Sequence, residues 1–158
     1  MVNAGDRAPD FVGTTADGKR IGLSDFRGQK PLVLYFYPKD NTPTCTKEAC
    51  SFRDHAGEIA AAGGEIIGVS NDGPEAHKKF IADHRLNFPL LSDTDGSIAK
   101  AFGVARLGGI LSGWIPPRRV TFVIDREGVV RRVIESEFSA QKHIDGAIEA
   151  LRGLGGGR

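Results

Sequence analysis

A chain of 158 residues is long enough for one domain with a substantial core, and 40% hydrophobic and 26% charged residues are ordinary proportions for a globular protein. The formal net charge is only +1 and the cations are spread along the chain, which argues against a nucleic-acid-binding protein, and no apolar run is long enough to span a membrane. The first six residues lack a signal segment and two cysteines are too few for a disulfide-rich secreted protein, so we expect a single cytoplasmic domain.

Turn-rich sequence precedes the first buried element. Two short segments around Asp17-Gly18, at 11–15 and 20–23, predict a β-hairpin, and a helical turn closed by glycine follows at 24–28. The β-branched and aromatic run at 32–37 stops at Pro38 and predicts a buried strand. Apolar residues at helical spacing then predict one amphipathic helix over 45–60.

The remaining pattern alternates strands and helices. It predicts a strand at 65–70, a helix from Pro74, a brief strand within 88–92, a short helix at 97–102, strands at 120–124 and 129–134 joined by a tight turn, and a last amphipathic helix capped by Ser139. Residues 106–117, with three glycines and two prolines, predict an irregular, mobile loop, and 153–158 a frayed tail. This order of elements predicts an α/β sandwich with a mixed sheet flanked by helices.

Both cysteines lie in the stretch that follows the strand at 32–37. Thr42 before Pro43 resembles a helix N-cap with proline at the first helical position, and Thr44 is an alternative cap. Either choice places Cys45 in the first turn, where unpaired N–H groups and the helix dipole favour a thiolate and lower the pKa of a thiol. Cys45 is therefore a candidate nucleophile, and the alternative is a small buried apolar residue.

Cys50 lies five residues after Cys45, off the apolar stripe of the predicted helix. On an intact helix this spacing separates the two side chains by about 140° with a rise of roughly 7.5 Å. A disulfide needs Cα atoms within about 7 Å and converging side chains. The sequence therefore predicts a pair that is separate when reduced and is joined only after a local rearrangement.

Other chemistries have little support in the sequence. The four histidines are scattered, so we expect no metal site, and the absence of a phosphate-binding loop predicts no bound nucleotide or other cofactor. No Cys-x-x-Cys motif is present, which disfavours a thioredoxin or a disulfide isomerase.

The pattern Pro38-x-x-x-Thr42-x-x-Cys45 matches the signature of the peroxiredoxins. The fuller segment 42–50, Thr-Pro-Thr-Cys-Thr-Lys-Glu-Ala-Cys, resembles the bacterioferritin comigratory protein or peroxiredoxin Q subfamily, and the resemblance extends from residues 5–11 to 119–125. It implies a thioredoxin-like fold and a thiol peroxidase in which Cys45 attacks the peroxide and Cys50 resolves the sulfenic acid. Thioredoxin or a similar dithiol would be the reductant.

The resemblance also implies roles for the residues around Cys45. Thr42 would offer its hydroxyl to the peroxide, and Pro38 would shield the thiolate, although capping a helix and ending a strand are simpler roles for them. The subfamily's arginine precedes a strand of the form found at 121–125, and this register favours Arg119 over Arg118. Glu48, one turn after Cys45, either pairs with this cation or is a solvated charge.

Two functions remain open at this level. One is a thiol-dependent peroxidase. The other is a redox-sensing adaptor whose helix changes on oxidation, for which the sequence offers no partner domain. The sequence does not decide the preferred peroxide, the reductant, or whether the protein is a monomer or a weak homodimer.

Overall fold

The computed structural model describes residues 1–105 and 116–155. In chain order the strands are β1 (Val12–Thr15), β2 (Arg20–Gly22), β3 (Leu32–Phe36), β4 (Glu65–Ser70), β5 (Leu90–Ser92), β6 (Val120–Ile124) and β7 (Val130–Glu135). The helices are α1 (Pro43–Asp54), α2 (Ala56–Ala61), α3 (Pro74–His84), α4 (Ser97–Phe102) and α5 (Ala140–Gly155), with a 3₁₀ turn at Leu23–Asp25. Among these described residues, no helix is long and apolar enough to cross a membrane.

The strands form one mixed sheet in the order β2-β1-β5-β4-β3-β6-β7. Strands β3, β4 and β5 run parallel, and the intervening helices provide the crossovers that parallel pairing requires. The hairpin β1–β2 and the pair β6–β7 are antiparallel. The predicted α/β architecture with a mixed central sheet, flanking helices and an N-terminal hairpin is confirmed.

Each face of the sheet packs against its own apolar core. Alternate residues of a strand point to opposite faces, so Val33 and Tyr35 join the core under α1, α2, α3 and α5, whereas Leu34 and Phe36 join the core under α4 and the N-terminal segment. Because both faces are covered, all five residues of β3 are buried, which explains why the strand is a continuous apolar run.

Two predicted helices differ from the structure. The single helix predicted over 45–60 is wrong: α1 begins at Pro43, and His55 leaves the helical conformation (φ −104°, ψ 7°) and separates α1 from α2. The backbone N–H of His55 still makes the helical bond to the carbonyl oxygen of Ser51, and its ring Nδ1 lies 2.8 Å from the same oxygen. The tail predicted to fray from residue 153 is helical through Gly155, because Leu151 anchors α5 in the core. Most of the loop predicted at 106–117 lies outside the described residues.

Candidate active site

Cys45 lies in the first turn of α1 and is 1% exposed. Thr42 precedes the helix with an extended backbone (φ −88°, ψ 157°), and Pro43 occupies the first turn, as predicted. The Thr42 side chain does not cap the helix, because its hydroxyl donates to the carbonyl oxygen of Lys39 at 2.8 Å. The first turn therefore keeps backbone N–H groups without a side-chain cap, at the positive end of the helix dipole.

The sheet brings a cation to this thiol from 74 residues away in the chain. Strand β3 ends just before the loop that leads to Cys45, and β6 runs antiparallel to it with Val120 opposite Phe36. The start of β6 therefore meets the end of β3. The residue before β6, Arg119, reaches the thiol by this pairing.

Arg119 is 4% exposed, and its Nη1 lies 3.3 Å from Cys45 Sγ. The same nitrogen donates to Glu48 Oε1 at 2.8 Å. Arg118 points to the other face of the sheet, where its guanidinium contacts the carbonyl oxygen of Gly103 at 3.4 Å. Of the two arginines that the sequence offered, the structure places Arg119 at Cys45, as the register predicted.

Glu137 fixes the orientation of Arg119. Arg119 Nε donates to the backbone oxygen of Glu137 at 3.0 Å, and the backbone N–H of Arg119 donates to Glu137 Oε2 at 3.2 Å. A guanidinium bonded along several of its donors loses rotational freedom, so its charge stays directed at the sulfur. Sequence reasoning missed Glu137, which follows β7 and carries no motif.

Glu48 is fully buried, so the solvated alternative is wrong. Burial raises the pKa of Glu48 to about 7, although the neighbouring Arg119 opposes the rise. Its second oxygen, Oε2, has no hydrogen-bond partner among the described residues and lies 3.7 Å from His143 Nδ1. Glu48 and Cys45 thus share one buried cation, Arg119.

His143, on α5, closes the cluster behind Glu48 and was not anticipated from the sequence. Its Nε2 lies 2.9 Å from the carbonyl oxygen of Ser136, which can only accept, so Nε2 carries the proton. Nδ1 then accepts from the hydroxyl of Thr121 at 2.7 Å. Burial lowers the pKa of His143, which agrees with a neutral ring. A lone histidine in an amphipathic helix gives no sequence signal for this role.

The other predicted residues lie around the same loop. Cys50 is a free, half-buried thiol on α1, and the guanidinium of Arg53 interacts with it. Pro38 is half-buried just beyond the end of β3. In the described part of the chain, no group of three or more histidine, cysteine or carboxylate side chains is arranged to hold a metal ion.

The raised pKa of Glu48 predicts a dependence of stability on pH. The native state holds its proton up to about pH 7, whereas an unfolded carboxyl loses its proton near its ordinary value of 4.5. Stability from this group is therefore present below pH 4.5 and is lost as the pH rises to 7, by about 3 kcal/mol. The difference in unfolding free energy between wild type and Glu48→Gln should change by this amount across that range in urea denaturation.

The control is Glu149→Gln, which removes an exposed carboxylate paired with Arg132. This variant should differ from wild type by a nearly constant amount over the same pH range, because an exposed side chain meets much the same solvent in the folded and unfolded states. A constant difference for Glu48→Gln as well would contradict the buried, proton-binding carboxyl.

A thiol in the first helical turn after a central strand, facing a cation that precedes the neighbouring antiparallel strand, is the arrangement of a thioredoxin-like thiol peroxidase. Comparison with known proteins agrees. The profile of the AhpC/TSA family matches residues 4–133. The chain is 46% identical to a chloroplastic peroxiredoxin Q of Populus jackii over 97% of its length and 70% of that protein. It therefore belongs to the AhpC/TSA family, in the group of peroxiredoxin Q and the bacterioferritin comigratory proteins, and is a peroxidase.

Solved structures show the same fold. The crystal structure of peroxidoxin BcpB from Mycobacterium tuberculosis superposes with a TM-score of 0.90 at 42% identity, covering 98% of this chain and 99% of that one. The bacterioferritin comigratory protein of Xanthomonas campestris, named for alkyl peroxide reduction, superposes with a TM-score of 0.82 at 32% identity and covers 92% of each chain. The predicted thioredoxin-like fold is thus confirmed.

Proposed function

We propose that the protein reduces hydroperoxides through Cys45 and resolves the product through Cys50. The Cys45 thiolate attacks the distal peroxide oxygen, so that an S–O bond forms, the O–O bond breaks and the alcohol or water leaves with a proton. The sulfur is oxidised to a sulfenic acid and the peroxide is reduced. The observation that carries this proposal is the 3.3 Å contact between Arg119 and Cys45 at the start of α1.

Arg119 has two roles in this mechanism. Its charge favours the thiolate, because a cation at hydrogen-bond distance stabilises the charged form of a thiol. In the transition state, negative charge grows on the departing oxygen, and the bound guanidinium stabilises that charge without having to reorganise.

Thr42 and Pro38 shape the peroxide site in this proposal. The Thr42 hydroxyl donates to Lys39 within its own loop, which leaves its oxygen lone pairs free to accept a hydrogen bond from the peroxide. Pro38, half-buried just beyond β3, would limit the access of water to the thiolate in this proposal.

Cys50 completes the reaction in the proposed scheme. Its thiolate attacks the sulfenic sulfur, an S–S bond forms, the S–O bond breaks, and the departing hydroxide takes a proton and leaves as water. A dithiol donor then reduces the disulfide by exchange. Thioredoxin is our proposed donor, and recycling requires a reducing compartment such as the cytoplasm.

The peroxide class follows from the relatives. The Xanthomonas campestris protein is named for alkyl peroxide reduction, and this chain shares its fold over 92% of its length. We therefore propose organic hydroperoxides as substrates along with hydrogen peroxide. The monomer and a weak homodimer both remain compatible with this mechanism, since Cys45, Cys50 and Arg119 belong to one chain.

Repeated turnover tests the proposal. Peroxide consumption is measured with thioredoxin, thioredoxin reductase and NADPH, with hydrogen peroxide and with cumene hydroperoxide. The peroxidase should consume many equivalents of peroxide per chain, whereas a redox sensor consumes about one, because it lacks catalytic recycling. Consumption that stops at one equivalent, with the thioredoxin system shown to be active on an unrelated disulfide protein, would favour the sensor.

Closing the disulfide should unwind α1. Both cysteines lie on this single helix, where a spacing of five residues separates the side chains by about 140° and 7.5 Å. Oxidation should therefore remove amide protection over 45–53, while β3 in the middle of the sheet keeps its protection. Each backbone hydrogen bond that is given up costs about 0.5–1.5 kcal/mol, and the condensation chemistry must supply this free energy.

Hydrogen exchange on the reduced and oxidised forms measures this change. The bond from Arg53 Nη1 to the carbonyl oxygen of His84, at 2.6 Å in the reduced fold, should be lost together with the helix. A Cys45–Cys50 disulfide with α1 still protected, or a product linked only between two chains, would refute the unwinding.

A further inference from the structure

A second buried polar chain lies next to the loop that holds Thr42, and the proposed mechanism does not use it. The Tyr37 hydroxyl donates to Asp40 Oδ1 at 2.6 Å, Asp40 Oδ2 lies 2.6 Å from His77 Nδ1, and His77 Nε2 lies 3.0 Å from the carbonyl oxygen of Leu91. The His77 side chain is 0% exposed and that of Asp40 is 4% exposed. This chain links the loop to α3 and β5, at a distance in sequence of 37 residues.

The hydrogen positions follow from the partners. A backbone carbonyl only accepts, so His77 Nε2 carries a proton directed at Leu91. The contact between Nδ1 and Asp40 Oδ2 must then contain one further proton, whichever of the two atoms carries it. The tyrosine donates to the other carboxyl oxygen. Every polar atom of His77 and of the Asp40 carboxyl therefore has a partner, and the chain specifies one geometry.

The loop between β3 and α1 is held at two further points, the backbone of Asp40 and the side chain of Asn41. The backbone N–H of Asp40 donates to Asp72 Oδ2 at 2.8 Å, and Ser70 also donates to that oxygen. Asn41 adopts a left-handed conformation (φ 60°), and its side-chain oxygen lies 3.0 Å from Nε2 of His84. His84 lies about two turns after His77 on α3. Helix α3 thus holds two successive loop residues through His77 and His84.

The buried chain of Tyr37, Asp40 and His77 is not explained by stability alone. A buried polar or ionic pair usually stabilises a fold no more than apolar side chains of the same volume. Its advantage is directional, because fully satisfied networks impose a single arrangement on the groups that they connect. Here the connected group is the loop whose next residues are Asn41 and Thr42.

We propose that Asp40 and His77 are positioning residues for peroxide reduction. They fix the loop at 38–42 so that the Thr42 hydroxyl meets a peroxide in line with Cys45. The inference rests on the proposed function of Cys45 and Thr42. The cation at the sulfur is Arg119, whose side chain bonds Cys45, Glu48 and the backbone of Glu137, so a displaced loop and a lost cation are separable.

His77→Leu tests the proposal through two reactions of the same sulfur. Oxidation of Cys45 by hydrogen peroxide should slow about 10- to 100-fold, because a misplaced binding group loses its contribution to the aligned complex. Alkylation of Cys45 by iodoacetamide, which does not need Thr42, should keep its rate and its pH profile. A loss of both rates together would overturn the positioning role, and so would an unchanged peroxide rate.

Asp40→Asn is the conservative variant. Its amide can donate to Nδ1 of a neutral His77 and accept from Tyr37, so the hydrogen-bond pattern survives without the carboxylate. It should keep most of the peroxide rate that Asp40→Leu loses. Equal losses in the two Asp40 variants would contradict positioning by this pattern.

A double variant locates the effect. In a Thr42→Val background His77→Leu should slow peroxide oxidation little further, because His77 acts through Thr42. A full additional loss in that background would overturn the proposal. If His77→Leu does not fold, His77→Gln is measured against the same outcomes. A glutamine amide cannot reproduce both bonds of the imidazole ring, one to the carbonyl oxygen of Leu91 and one to the carboxyl of Asp40.

Phe102→Leu, in the core on the opposite face of the sheet, controls for lost stability. It should lower the melting temperature and leave the peroxide rate unchanged. Failure of the proposed function is separately visible, since the wild-type thiol would then react with peroxide no faster than free cysteine does.

Discussion

Replacing Cys45 with serine is expected to abolish peroxide reduction. Cys45 is the thiol at the first turn of α1, and it is the cysteine that contacts the Arg119 guanidinium, at 3.3 Å. Serine is nearly isosteric, but its alcohol remains protonated, and its oxygen cannot be oxidised by a peroxide as the cysteine sulfur is when it forms a sulfenic acid. The loss should therefore be complete in the coupled thioredoxin assay, with the fold retained by circular dichroism.

Cys50→Ser should give a different result. Its Cys45 keeps Arg119 and the helix start, so the first oxidation proceeds, and the sulfenic acid then persists because no resolving thiol follows it. One equivalent of peroxide should be consumed rapidly, the product should react with dimedone, and turnover with thioredoxin should be weak or lost. If the first oxidation failed in Cys50→Ser as it does in Cys45→Ser, the assigned roles would be reversed or wrong.

The elements of the fold were largely predictable because local patterns specify them. The helix at 97–102 and the strands at 65–70 and 120–124 match the structure residue for residue. Their boundaries carry glycine, proline or polar residues beside apolar runs, which are local signals. The break at His55 was not predictable, since the apolar spacing continues across it from α1 to α2.

The nucleophile and its cation were also accessible from sequence, but the rest of the site was not. Helix capping is local and indicated Cys45, and the resemblance to the peroxiredoxin motif before the strand at 121–125 favoured Arg119. Glu48, Glu137 and His143 acquire their roles only when β6 pairs with β3 and α5 packs behind it. Single carboxylates and histidines on helices have no distinctive pattern, so their burial follows from strand order rather than from neighbouring residues.

Arg119→Ala is expected to slow both thiol reactions of Cys45. The guanidinium is the buried cation bonded to the sulfur, and a neighbouring opposite charge typically changes the proton affinity of an acid by about one to three pH units. The midpoint of iodoacetamide alkylation against pH should move to higher pH, so the alkylation rate at a fixed pH near the wild-type midpoint should fall. Peroxide oxidation should slow further, since charge on the departing oxygen also loses its partner.

Arg118→Ala is the matched control on the adjacent residue. Its guanidinium lies on the other face of the sheet, near Gly103 and 3.7 Å from the exposed Glu135, so both rates should stay within about twofold of wild type. Equal shifts in the two variants, or a shift confined to Arg118→Ala, would contradict the geometry at Cys45.

Arg119→Ala also leaves the Glu48 carboxyl buried without its cation, which costs about 3–5 kcal/mol if the carboxyl stays ionised. The double variant Arg119→Ala/Glu48→Gln removes that charge and should recover stability in urea denaturation. Its alkylation midpoint should remain raised, because the sulfur still lacks a cation. Recovery of the wild-type midpoint together with stability would show that Arg119 serves the fold and Glu48 rather than the thiolate. A midpoint that stays high while stability returns separates the electrostatic role of Arg119 from its structural one.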